Sequence, residues 1–192
     1  MFSMTTEAER PVPGEVIQTE RLELIPFTAE FLRASLDGRC AAAAELLGAT
    51  LPANWPDHPD AYRLRLGQLE ADPSLRRWLV RGMVLRSENR LVGHLGFHTS
   101  PGPEYLSALA PGGIEFGYTV FEADRRRHFA TEAVEALMGW ARTRHGITRF
   151  VVSISPANTP SLGLAAKFGF QRIGSHMDEV DGLEEIFERV VG

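Results

Sequence analysis

IEFGYTVFEADRRRHFATEA, residues 114–133, joins two different periodicities. In its first seven residues Ile114, Phe116, Tyr118 and Val120 alternate with Glu115, Gly117 and Thr119, the period-two pattern of a strand. Its last residues open a helix whose apolar positions, Ala130, Val134, Leu137, Met138 and Ala141, fall on one face. Arg125, Arg126, Arg127 and His128 lie between the two. A helix N-terminus presents backbone N–H groups with no intrahelical partner and carries partial positive charge. Cationic side chains are unfavourable there unless an anion offsets them, so the turn reads as an anion site, phosphate above all. A nucleic-acid backbone, a nucleotide phosphate and plain solvent are the occupants to separate.

The rest of the chain narrows that choice. It has 192 residues, 44% hydrophobic and 23% charged, enough for one globular domain with a real core. Twenty basic against 25 acidic side chains leave a net charge of −5 with histidines neutral. A general nucleic-acid binder normally carries a basic surface, so no nucleic-acid partner is expected and the arginines read as a local site on an acidic protein. Cys40 is the lone cysteine, which excludes an internal disulfide and fits a reducing, cytoplasmic setting. No apolar run reaches the length of a bilayer span, and no membrane partner is expected. Residues 1–18 read as a disordered lead-in without the apolar stretch of a secretion signal, and residues 19–192 as the domain.

Upstream of the quoted stretch, RLELIPF (21–27) alternates as a strand, and Thr28 is a plausible N-cap for a helix closed near Gly38. A second helix is expected over about 39–47 and a third, after the proline-rich loop 51–60, to about residue 71. Residues 77–99 read as two strands around the turn Ser87-Glu88-Asn89-Arg90, and 99–113 as a long Pro- and Gly-rich loop of the kind that is often functional or mobile. Downstream, Gly146 stops the long helix, and FVVSI (150–154) reads as a buried central strand. Thr159-Pro160 reads as a helix start, with Thr159 the N-cap and Pro160 in the first turn, and the helix ends near Gly169. Two strands, 170–174 and about 184–191, close the chain. The expected fold is a single α/β domain with a mixed sheet and one parallel crossover, from 114–120 through the helix to 150–154.

The chain contains neither G-x-x-x-x-G-K-[ST] nor a G-x-G-x-x-G after a strand, so neither a P-loop nucleotidase nor a dinucleotide fold is supported. R-R-R-H-F-A after IEFGYTV instead resembles the acyl-coenzyme A pyrophosphate loop [RQ]-x-x-G-x-[GA] of the GNAT N-acetyltransferase superfamily. The trailing A-T-E-A, the later N-T-P-S-L-G-L-A-A-K-F-G-F and the opening TERLELIPFT are similar to its Rim-type ribosomal-protein branch, and cover about residues 19–191. The resemblance implies a GNAT-like fold, a mostly antiparallel sheet whose fourth and fifth strands are parallel and splay apart around the pantetheine arm. It implies acetyl-coenzyme A as co-substrate and an amine acceptor.

By the same resemblance the cofactor meets Tyr118 and Val120 of the strand, the frame Arg125, Arg126, Arg127, His128, Phe129, Ala130 and Thr131, and then Asn158 and Ser161. The motif's first glycine, which normally admits close backbone approach, falls on His128. That substitution either shifts the loop, brings an imidazole to phosphate, or leaves the ring in solvent. Glu115 stands where the family often keeps its general base, and a protonated amine cannot attack a thioester until something takes its proton. Gly117 on the same strand face leaves room beside that carboxylate. The family's usual tyrosine acid falls on Ala165, leaving Tyr118 and Ser161 as fallback donors. A thiol leaving group with a pKa of about 8.5 makes acid help less necessary.

His94 and His98 are four apart, a metal spacing on a helix, but the alternation and Gly93 and Gly96 argue for a strand, where four residues span about 13 Å. No metal is expected. A non-catalytic acyl-coenzyme A-binding module on the same fold is the rival reading. The sequence is compatible with a homodimer and carries no code for the acceptor amine.

Overall fold

A computed structural model describes residues 15–178 and 182–192. The chain forms two compact units, residues 1–94 and 95–192. The strand β4 (Arg90–Phe97) carries the backbone from the first to the second.

In the first unit, β1 (Ile17–Gln18) and β3 (Arg81–Leu85) flank β2 (Leu22–Pro26), both antiparallel to it. The β2–β3 register runs from Leu22 opposite Leu85 to Pro26 opposite Arg81. Strand β1 falls inside the stretch expected as a lead-in; residues 1–14 of that stretch lie outside the described residues. Two residues are too short for a periodicity to show, and Ile17 becomes a strand residue only because Leu24 is there to pair with it. Three helices follow β2: α1 (Ala29–Leu36), α2 (Cys40–Leu47) and α3 (Pro59–Ala71). Thr28 caps α1 as expected, its hydroxyl accepting from the Phe31 N–H at 3.1 Å.

The core of this unit is aromatic. Phe27, Phe31, Trp55 and Tyr62 are all buried, with ring centroids 4.3 Å apart for Phe27–Phe31 and 5.1 Å for Trp55–Tyr62. Gly82 in β3 is a packing requirement, because a Cβ there would lie 2.7 Å from Leu91 and 2.8 Å from the Phe27 ring.

The second unit contains β5 (Ile114–Val120), α4 (Phe129–His145), β6 (Arg149–Ile154), α5 (Thr159–Lys167), β7 (Gln171–Asp178) and β8 (Gly182–Val190). Its strands run in the order β5-β6-β8-β7, with β5 and β6 parallel and the remaining pairs antiparallel. The expected crossover is therefore present, and with β1 counted its strands are the fifth and sixth. Helix α4 lays Ala133, Val134, Leu137, Met138 and Ala141 into the core, and ends at Gly146 with φ +68°. Strand β6 buries Phe150, Val151, Val152 and Ile154, which explains its nearly continuous apolar run.

The 99–113 segment is more structured than its composition suggests. It contains a 3-10 turn at Glu104–Leu106, and Leu106 and Ala110 pack with Val151 and Ile186. Helix α5 also starts differently from the sequence reading. Asn158, not Thr159, is the N-cap: its Oδ1 accepts from the Ser161 N–H at 3.2 Å, and Thr159 is the first helical residue. Both residues are good caps, and the backbone, non-helical at residue 158 and helical from 159, decides between them.

Candidate active site

Strands β5 and β6 pair only at Ile114–Phe150 and Glu115–Val151. Beyond those positions they part, and a cavity of about 420 Å³ opens between their unpaired ends. Phe116, Gly117 and Tyr118 line it from β5, and Val152, Ser153 and Ile154 from β6. Helix α5 closes it with Ser161, Leu164 and Ala165, and the cap residue Asn158 reaches its wall. Phe168 and Phe170 also face it.

The basic turn lies between β5 and α4, as expected. A 3-10 turn, Glu122–Asp124, precedes the arginines. Arg125 donates through Nε to the Val120 carbonyl at 3.3 Å. Arg127 pairs with the buried Asp124 at 3.0 Å and lies over the Phe129 ring, 4.8 Å from its centroid. Arg126 and His128 both adopt left-handed backbone, with φ +63° and +65°. The glycine of the resembled motif thus meets a conformational demand at residue 128, which a histidine fulfils at some cost. No side chain caps α4, and the His128 ring makes no capping bond. The N-terminus of this 17-residue helix thus lacks a side-chain cap and follows directly on exposed arginines.

Tyr118 and Ser161, named separately from the sequence, meet in the cavity, where the tyrosine hydroxyl donates to Ser161 Oγ at 3.1 Å. Burial raises the Tyr118 phenol above its ordinary range, against the smaller opposing effect of Ser161, so it is protonated at neutral pH. Val120 stays outside the cavity lining and is bound through its carbonyl to Arg125.

Glu115 is only 7% exposed. Ser153 Oγ donates to its Oε1 at 2.6 Å, and His98 Nδ1 lies 3.5 Å from its Oε2. Burial alone would raise this carboxyl, but His98, then Ser153 and Tyr105, outweigh it and hold the group below its ordinary range as an anion. The room that Gly117 leaves on this face is filled by His98, whose Nε2 lies 3.2 Å from where a Cβ would stand. Sequence reasoning weighed His98 only as a metal ligand and passed over Tyr105 and Ser153. The spacing of these residues in the chain carried no signal, since strand register brings them to Glu115.

His94 does lie on a strand, as expected. It gathers with Asp57 and His58, whose potential ligand atoms all lie within 4.8 Å of one another. His94 Nε2 is 3.1 Å from Asp57 Oδ2, and Tyr62 donates to Asp57 Oδ1 at 2.6 Å, so the carboxylate is held by neighbouring side chains.

The model of the acetyltransferase (GNAT) domain family matches residues 21–171. The chain belongs to this family. "Uncharacterized N-acetyltransferase YjdG" of Bacillus subtilis (strain 168) is 26% identical over 165 residues, covering 81% of this chain and 89% of the relative. A GnaT-family acetyltransferase from Bordetella pertussis superposes with a TM-score of 0.65 at 23% identity, covering 91% of this chain and 99% of that one. RimL, a ribosomal L7/L12 alpha-N-protein acetyltransferase solved in complex with coenzyme A, superposes with a TM-score of 0.61 at 17% identity, over 92% and 98% of the two chains. These structural likenesses show a shared fold. No helix among the described residues is long and apolar enough to cross a membrane.

Proposed function

We propose that the protein is an acetyl-coenzyme A-dependent N-acetyltransferase of the Rim-like group, moving acetyl to a primary amine by direct attack. The observation that carries this reading is the parting of β5 and β6 after two paired positions around a cavity of about 420 Å³, beside an uncapped helix N-terminus flanked by three arginines. A pyrophosphate suits the helix end, which supplies N–H groups and positive charge, with Arg125 to Thr131 as its frame. A slender pantetheine arm suits the cavity, whose walls offer apolar side chains together with Asn158 and Ser161.

With the arm so placed, the thioester reaches the unpaired part of β5. A backbone N–H of that strand polarises its carbonyl and stabilises the tetrahedral oxyanion. The amine lone pair attacks the carbonyl carbon, the C–S bond breaks, and coenzyme A leaves as a thiolate. Tyr118, protonated and facing the cavity, stands as its proton donor in place of the family's tyrosine at the Ala165 position. Glu115 provides the negative charge that draws the amine proton, indirectly, since its carboxylate is enclosed. Holding both substrates in place supplies much of the rate.

Free-thiol release from acetyl-coenzyme A, measured with N-terminal peptides, amino acids and polyamines, tests this. Amine-dependent release names the acceptor class. Cofactor binding with silence across the whole panel would replace the transferase by a binding module.

A further inference from the structure

We infer that His98 is the group that takes the proton from the acceptor amine, and that Glu115 is its positioning carboxylate. The inference rests on the transferase reading above and deepens it.

Glu115 is badly placed to meet a substrate. It is 7% exposed, Oε1 is bonded to Ser153 and Oε2 faces His98. An ammonium could reach it only by displacing a partner. Its lowered pKa, set by His98, Ser153 and Tyr105 against burial, also makes it a weaker base than an ordinary carboxylate.

His98 is the more accessible of the two. Its side chain is 39% exposed, against 9% for that of Glu115. Its backbone N–H donates to the Glu115 carbonyl at 2.9 Å, which fixes the two residues opposite each other. Nδ1 faces the carboxylate, so the Nδ1–H tautomer is favoured and the lone pair is left at Nε2. Nε2 in turn lies over Gly117, a residue of the cavity wall. A base oriented by a carboxylate on its far nitrogen is the arrangement that activates nucleophiles in unrelated enzymes. Among the described residues, the groups acting on the Glu115 carboxylate are His98, the Ser153 hydroxyl from β6 and Tyr105 from the 3-10 turn.

The proton count closes. An acceptor arriving as an ammonium gives one proton to Nε2, which passes it to solvent. The neutral amine then forms the C–N bond. The proton released from the tetrahedral intermediate goes to Nε2 and from there to solvent, while the departing thiolate takes one from Tyr118, whose phenol is restored from solvent, leaving amide, free coenzyme A and one net proton.

The test is the pH dependence of kcat/KM for wild type, His98→Ala, His98→Gln and Glu115→Gln, with an amine found by thiol release and coenzyme A affinity as the control for folding. Both His98 variants are expected to lose about a hundredfold or more in kcat, the scale of general-base catalysis, with cofactor affinity unchanged. Added imidazole should restore part of the His98→Ala rate. Glu115→Gln should keep an acid limb at reduced kcat, because the imidazole remains but loses the carboxylate that orients it. Imidazole should not rescue that variant. A His98→Ala enzyme within threefold of wild type, or one that keeps the wild-type limb while Glu115→Gln loses it, would overturn the inference and leave the transferase standing. Silence of the wild type with every amine would bring down the transferase reading, and this inference with it.

Discussion

Two residues, Gly117 and His128, act through backbone or contact geometry. At Gly117 the missing side chain admits His98, whose Nε2 lies 3.2 Å from the space a Cβ would take. Gly117→Ala should therefore displace the imidazole by a few tenths of an ångström, lowering kcat about tenfold or more while coenzyme A affinity stays within about threefold. Calorimetric binding beside steady-state kinetics reads both effects, and a parallel fall in affinity would show that the strand itself had moved. At His128 the backbone is left-handed, with φ +65°, and the ring is exposed without a capping bond. Replacement by glycine relieves about 1 kcal/mol of strain and returns a similar amount as unfolded-state freedom. The His128→Gly protein should melt within about 3 °C of wild type and bind coenzyme A within about twofold. A tenfold loss of affinity would instead place the imidazole on phosphate.

At the scale of elements, the site depends on where β5 and β6 stop pairing and on how α5 begins. The Asn158 side chain caps that helix by accepting from the Ser161 N–H, and the same residue faces the cavity that Ser161 and Tyr118 share. Its Oδ1 serves the cap while the residue lines the cavity, so capping and the cofactor contact implied by the resemblance are compatible in one position. Asn158→Ala should cost about 1 kcal/mol of stability, the worth of a good cap. It should also weaken coenzyme A binding by more than that loss explains, whereas Asn158→Ser, which restores the cap with a shorter side chain, should recover the melting temperature and only part of the affinity. Equal recovery of both would reduce Asn158 to a cap. Tyr118→Phe tests the opposite wall: a thiolate is tolerable near neutral pH, so kcat should fall by only about threefold to tenfold.

For the molecule as a whole, charge sets two expectations. A net charge of −5 confines anion attraction to the basic turn, so raising salt from about 50 to 500 mM should weaken coenzyme A binding several-fold through screening, while DNA should not be retained at either salt. Acid stability rests partly on Asp57, 12% exposed, where burial would raise the carboxyl but His94, then Tyr62 and His58, bring it down to about 2 from an ordinary 3.8. A depressed carboxyl stabilises the fold above its unfolded pKa and loses that contribution as pH falls through the folded value. Asp57→Asn should thus destabilise by on the order of 1–2 kcal/mol at pH 7 and by almost nothing near pH 1–2, a convergence that melting curves across that range would show. The sequence by itself determined the strand, basic turn and helix of residues 114–145, the apolar strand that became β6 and the family they define, because periodicity, helix stops and turn chemistry act between residues close in the chain. The tertiary structure alone decided at which residue β5 and β6 part, that Asn158 and not Thr159 caps α5, and that Ser153, 38 residues from Glu115, joins His98 and Tyr105 on its carboxylate. Those outcomes depend on register and on which side chain fills a gap between strands, and no local pattern records either.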